Sequence, residues 1–230
     1  LVTKWGTKFP DILLQVEVMK VRGLLQLGKF DAVKAIIAKK PDQKSEVVWA
    51  LKLALADGYY AWGKYTDAQA IYNGFFAAYP KGPGKKLKPF YVNAAYKYAQ
   101  MLILMGENKG AIKAYENLLG AKPVKNVRRQ AQGEMAELMV KMCEEDEKVR
   151  KAYLPKVEKL CNEILWIQDV WFGKAIVYLA HVKKMSGDIK GAKSLIDDYR
   201  PQLKDIDKAL MEEAERSGED LTRLSPMAEC

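Results

Sequence analysis

Three stretches of this chain obey one spacing rule: a glycine, an alanine five residues on, and a tyrosine or isoleucine nine residues on. Gly63 is followed by Ala68 and Tyr72, Gly106 by Ala111 and Tyr115, and Gly187 by Ala192 and Ile196. Gly28, Val33 and Ile37 form a looser fourth copy. The apolar residue two after the glycine recurs as Phe30, Tyr65 and Ile189, and is Asn108 in the Gly106 copy. Prolines close the copies at Pro41, Pro80, Pro123 and Pro201. Positions four apart share a helix face, so each alanine and its tyrosine or isoleucine point the same way. Repetition at about 35 to 45 residues predicts stacked helix pairs, none of which can bury its apolar face alone.

The first helix is expected over Asp11–Leu27 and its partner over Phe30–Lys39, where Pro41 ends it. Ser45 is placed to cap the next helix, which runs through Trp49, Leu53, Ala56 and Tyr60. Gly63 breaks it, and Thr66–Ala78 forms the return helix. Lys81–Pro89 has Gly, Pro and Lys but no apolar period, and reads as a loop. Tyr91, Ala94, Ala95, Tyr98, Ala99 and Leu102 then recur at helical spacing, as do Ala111, Ala114, Tyr115, Leu118 and Leu119. Lys125–Cys143 and Lys148–Ile167 form a pair without a glycine, joined by the acidic turn Glu144–Glu147, with Pro155 marking a late start or a kink. Trp171–Met185 and Ile189–Tyr199 make the last full pair. An acidic helix follows Pro201 to about Ser217. Residues 1–201 therefore read as the repeat array, and 202–230 as an acidic helical cap or the start of a further repeat, with Ser225–Pro226 opening another helix.

Composition narrows the function. The net charge is +9, with 15 Lys/Arg against 7 acids in residues 1–88 and the reverse balance, 5 against 10, in 197–230. Cys143, Cys161 and Cys230 are an odd number at no metal spacing and read as free thiols. No apolar run approaches the ~20 residues that span a bilayer. No GxSxG, HExxH, P-loop or GxGxxG pattern occurs. Acid pairs such as Glu144–Glu145, Asp197–Asp198 and Glu212–Glu213 fall at helix ends or polar faces, and His181 lacks the companions a metal site needs. These features predict a chain that is not an enzyme and has no catalytic residue, metal site or cofactor.

The repeats resemble the tetratricopeptide repeat (TPR), a degenerate 34-residue helix–turn–helix pattern. Val92–Pro123 matches best, with Ala95, Tyr98 and Ala99 in the first helix, Gly106 in the turn, and Ala111, Tyr115, Leu118 and Pro123 after it. Ala56, Tyr59, Gly63, Ala68, Tyr72 and Pro80 form a second unit, in which Phe75 replaces a small residue. Leu179, Ala180, Gly187 and Ala192 form another. The resemblance implies an all-α right-handed superhelix, an alpha solenoid of about five TPR-like helix pairs. The exit Tyr79, Pro80 and Pro83 is similar to that of extended repeats in bacterial envelope-associated members. The compartment stays open between cytoplasm and bacterial periplasm.

In the family the first helix of each pair lines a concave groove. Here that implies a partner-binding groove of Arg22, Asp57, Tyr60, Asn93, Tyr96, Gln100, Gln130, Glu137, Lys174, His181 and Lys184. Tyr60 and Tyr96 are its aromatic anchors. Some members clamp a C-terminal carboxylate with Lys and Asn; only Asn93 matches that pattern, which argues against such a clamp. The expectation is a scaffold that holds a segment of another protein in its groove, with self-association left open. The alternative is a polyanion, nucleic acid or anionic lipid, on a basic edge of Lys81, Lys85, Lys86, Lys88, Lys125, Arg128 and Arg129. No RNA-reading aromatic motif accompanies that edge, so nucleic acid is the lesser expectation.

Overall fold

A computed structural model describes residues 10–80, 82, 84 and 87–217 of the protein. Ten α-helices and one short 3-10 turn account for the described secondary structure, and no strand occurs among these residues. The chain packs as two units, residues 1–123 and 124–230. The first holds α1 (Pro10–Gln26), α2 (Phe30–Ala38), α3 (Glu46–Ala61), α4 (Tyr65–Ala78), α5 (Lys88–Leu104) and α6 (Asn108–Gly120). The second holds α7 (Lys125–Glu145), α8 (Arg150–Ile164), α9 (Val170–Met185) and α10 (Ile189–Ser217).

Four hairpins turn in the same way. Gly28, Gly63, Gly106 and Gly187 have φ of 68°, 68°, 77° and 88°, the left-handed region in which a side chain is strained. At Gly106 the amide donates to Ile103 O and the next amide, of Glu107, donates to Leu102 O. The same pair of bonds joins Gly28 to Leu25 and Lys29 to Leu24, Gly63 to Tyr60 and Lys64 to Tyr59, and Gly187 to Lys184 and Asp188 to Lys183. Each turn thus satisfies two helix carbonyls that would otherwise be orphaned, in the Schellman arrangement. The α7–α8 hairpin has no glycine. There Asp146 takes an extended conformation and its side chain accepts from Lys148 N, opening the 3-10 turn Glu147–Val149. Arg150 Nε then donates to Cys143 O at the end of α7.

The turn fixes where the return helix meets its partner. Ala68 and Ala111 have no exposed surface, and Tyr72 and Tyr115 fill the space beside them. In the first unit Phe75, also fully buried, takes the place of a small residue. Its ring centroid lies 5.6 Å from Trp49, 5.2 Å from Tyr79 and 5.8 Å from Tyr91, so an aromatic cluster occupies the wider gap. Ser45 caps α3 by accepting from Val48 N, and Asp169 caps α9 by accepting from Trp171 N and Phe172 N. Cys143 and Cys161 are free and buried. Burial pushes the Cys161 thiol up to about 12, which keeps it protonated at neutral pH.

One of two helix-internal prolines corrects the sequence reading. Pro201 marks a helix end by pattern, but α10 runs through it as one helix of 29 residues. Pro155 lies inside α8, within the helix expected over Lys148–Ile167, and does not mark a late start. A proline frees the carbonyl four residues back, here Asp197 and Lys151. Both prolines and both of those residues are exposed, so water can take up the carbonyl.

Two predictions follow from this packing. Nothing lies near the position a Gly106 side chain would occupy, so Gly106→Ala is strained by its backbone alone. It should lower stability in urea by about 1–2 kcal/mol, with Gly106→Asn less costly. Gly133 is different: a Cβ there would stand 2.2 Å from one carbon of the Trp171 ring and 2.6 Å from another. Gly133→Ala should destabilise despite the ~1 kcal/mol that alanine gains in a helix. In a Trp171→Ala background the same change should stabilise, and denaturation of the four proteins of that cycle reads the reversal.

Candidate functional site

In the first unit α3 packs on α1, and α5 packs on α3. Between them lies an open cleft of about 360 Å³. Arg22, Leu25 and Gln26 line it from α1, Ala54, Asp57, Gly58, Ala61 and Trp62 from α3 and its end, and Asn93 and Lys97 from α5. The floor is small because a Gly58 side chain would collide with the Leu25 methyl carbons at 2.9 Å. Trp62 ends α3 with 53% of its surface exposed, edge-on to Phe30.

Asp57 organises the polar side of the cleft. One carboxylate oxygen accepts from the Tyr72 hydroxyl at 2.9 Å. The other accepts from Asn93 Nδ2 at 3.2 Å and pairs with Lys97 Nζ at 2.8 Å. The Asp57 side chain is only 12% exposed, so its charge is largely met inside the protein. Burial, and after it the negative charge of Asp57, holds the Tyr72 phenol protonated far above the ordinary phenol range. Arg22, by contrast, is exposed and has no hydrogen bond or ion pair among the described residues.

The other groove candidates divide between the two units. Tyr60 is half-buried with its ring 6.0 Å from Tyr65. Tyr96 accepts from Gln100 Nε2 at 3.1 Å and lies edge-on to Tyr115. In the second unit Gln130 Nε2 donates to Glu134 at 3.0 Å. Glu137 pairs with Lys174 at 3.0 Å, and His181 Nδ1 meets Glu144 Oε1 at 2.8 Å. Burial first, then the Glu137 carboxylate, raises the Tyr178 phenol far above its usual range. Lys184 is exposed on α9. The cleft therefore brings together Arg22, Asp57 and Asn93, while Tyr60, Tyr96 and Gln100 engage neighbours within their own unit.

Trp62, Gln26 and Lys97 line the cleft without having been singled out in the groove set. Trp62 carried a legible signal: a large aromatic directly before a turn glycine, where a helix side chain has little left to pack on. Lys97 carried another, because it falls one helical turn after Asn93 on the same face.

The basic edge requires one correction. Lys88, Lys125 and Arg128 are exposed, but Arg129 is 3% exposed and belongs to the interior. Its guanidinium donates to Ile164 O at 2.6 Å, Ile167 O at 3.2 Å and Asp169 Oδ1 at 2.7 Å. It satisfies carbonyls at the end of α8 and steadies the residue that caps α9, a task suited to its planar fork of donors. Arg128 stands 3.7 Å from Glu163. Lys81, Lys85 and Lys86 lie outside the described residues. Among the described residues no cluster of three or more His, Cys, Asp or Glu could hold a metal ion, and no helix is long and apolar enough to cross a membrane.

No protein-family model matches the chain, and no curated protein matches it. Solved structures do, among them a Podosopora anserina protein described as kinesin light chain-like, with nearly identical TPR-like repeats, and a single-residue variant of it. Identity is 16% to the former and 17% to the variant, with a TM-score of 0.55 in each case. Each match covers 84% of this chain and 95% of the other. The likeness establishes the fold, an all-α, TPR-like helical repeat.

The Asp57 cluster gives a direct test. Tyr72→Phe removes one of the bonds that hold a poorly solvated carboxylate, and should cost about 1–2 kcal/mol. In an Asp57→Ala background the same change should cost much less. Denaturation of the single and double variants measures the coupling between the two side chains.

Proposed function

We propose that the chain is a non-enzymatic scaffold that holds a segment of another protein against the α1–α3–α5 face of its first unit. The observation that carries this is an open cleft with apolar walls beside an unpaired cation. Ala61 and Trp62 offer exposed apolar surface beside the buried Leu25 and Ala54, and Arg22 offers a charge that no described residue meets. Asp57 does not oppose such a ligand, because Lys97, Asn93 and Tyr72 already occupy its oxygens. Specific complexes commonly rest on a few aromatic and arginine anchors set in such surroundings. TPR-like folds commonly mediate contacts between proteins, and the fold shared with the Podosopora anserina structures supports the same reading.

A photo-crosslinking residue at Arg22 or Gln26 should trap the partner in cells. The same residue at Lys113, exposed on α6, should not. With the trapped partner purified, Arg22→Glu should weaken binding at least tenfold, which corresponds to about 1.4 kcal/mol. A partner that crosslinks equally well from Lys113, or that binds Arg22→Glu unchanged, would exclude the cleft as its site.

A further inference from the structure

Helix α1 is apolar on two opposite sides. Val18, Val21 and Leu25 are buried on one of them. On the other, Ile12, Val16, Met19 and Leu27 are 56%, 52%, 69% and 69% exposed. Gly23 falls in the same stripe, and nothing lies within 4 Å of where its side chain would begin. At 3.6 residues per turn these five positions span an arc of about 80°, centred about 180° from the buried seam. A helix with an apolar stripe on each side is built to be covered on both.

The register of the repeats shows what this face does elsewhere. Aligning Gly28 with Gly63 places Val16, Met19 and Gly23 on Leu51, Ala54 and Gly58 of α3. Aligning it with Gly106 places Val16 and Gly23 on Ala94 and Met101 of α5, and Met19 on Lys97, which pairs with Asp57. Leu51, Ala54, Ala94 and Met101 are at most 3% exposed, and Gly58 is buried against Leu25 of α1. The middle of the face, which receives the preceding helix in α3, therefore stands uncovered in α1, while its ends correspond to Val47 and Trp62, which stay 37% and 53% exposed.

We infer that a second copy of the chain covers it, with the two α1 helices packed antiparallel about a twofold axis. The stripe is complementary to its own reverse. With the axis between residues 19 and 20, Ile12 meets Leu27 of the second copy and Val16 meets Gly23, while Met19 lies across the axis. Val16 then sets a branched side chain over a bare backbone position, much as Leu25 sits over Gly58 within one chain. A face that contacts its own copy closes into a dimer and does not propagate. The helix of 17 residues allows a contact about 25 Å long. Lys20 flanks the stripe beside the axis and would meet its own counterpart. Added salt should then strengthen this pairing by screening the two lysines. Docking of an acidic protein on the same face would instead weaken with salt.

Sedimentation equilibrium of the whole chain over a range of concentrations and salt tests the proposal. The expected result is a monomer–dimer equilibrium that tightens as salt is raised. Met19→Asp, at a position exposed in the single chain, should weaken it at least tenfold with an unchanged circular dichroism spectrum. In a Cys230→Ser background, Val16→Cys with Gly23→Cys should oxidise to a covalent dimer, and Val16→Cys alone should not. A chain that stays monomeric at every concentration overturns the proposal, and leaves another segment of this protein or a different protein as the cover. A dimer indifferent to Met19→Asp, or one that persists while the paired cysteines fail to link, overturns it as well.

Discussion

The left-handed glycine at the hairpin turns is the constraint on which the rest of this structure depends. A residue with φ near 70° lets the chain reverse while its two flanking amides close back onto the last carbonyls of the helix. Because the reversal is the same at Gly28, Gly63, Gly106 and Gly187, the return helix starts at a fixed rotation and height each time. That is why a small residue five on and a larger apolar residue nine on recur, alanine and tyrosine after Gly63 and Gly106, alanine and isoleucine after Gly187, valine and isoleucine after Gly28: the first meets the partner helix at closest approach, the second fills the space beside it. Ala68 and Ala111, with Tyr72 and Tyr115, show both halves of the rule with no exposed surface.

The same regularity places one carboxylate on the first helix of a pair opposite a lysine on the first helix of the next. Asp57 pairs with Lys97 in one unit and Glu137 with Lys174 in the other, and the Tyr72 hydroxyl completes the first arrangement. The two differ in burial. Asp57 is nearly enclosed, whereas the Glu137 side chain is 51% exposed, where an ion pair contributes little. Much of the polar lining of these faces is thereby engaged in joining helices, and its chemical variety overstates what remains for a ligand. Arg22 stands apart because the acid that shares its cleft, Asp57, is already met by Lys97, Asn93 and Tyr72.

The repeat spacing made the helices and their pairing legible, since a turn glycine, a small residue and a large apolar residue each leave a mark at a fixed offset. It also placed Gln132, Met135, Ala136 and Met139 of α7 inward, where they are buried. It failed where water decides the outcome. Pro201 reads as a helix end by local rule, yet an exposed helix can leave one carbonyl to solvent and continue. Arg129 reads as surface charge because it follows Arg128, yet one step around a helix turns a side chain by about 100°. That rotation carries Arg129 to the carbonyls of Ile164 and Ile167. The groove candidates were readable as positions, but which of them would be tied to one another across helices depended on contacts 36 and 37 residues away in sequence, Asn93 with Asp57 and Lys174 with Glu137.

Glycines inside helices carry a different message from glycines in turns. Each costs about 1 kcal/mol relative to alanine and supplies no side chain to the core. Gly58 and Gly133 sit where a Leu25 or Trp171 side chain occupies the space a Cβ would need, so the loss of helix propensity is offset by a contact no larger residue could make. Gly23 holds the position equivalent to Gly58 one repeat earlier and bears the same local cost with nothing above it. Its neighbours Val16 and Met19 are apolar and more than half exposed. A glycine that clears a path for a packing side chain, set in an apolar stripe on the side of the helix away from the core, gives this face the character of a helix–helix seam rather than a solvent surface.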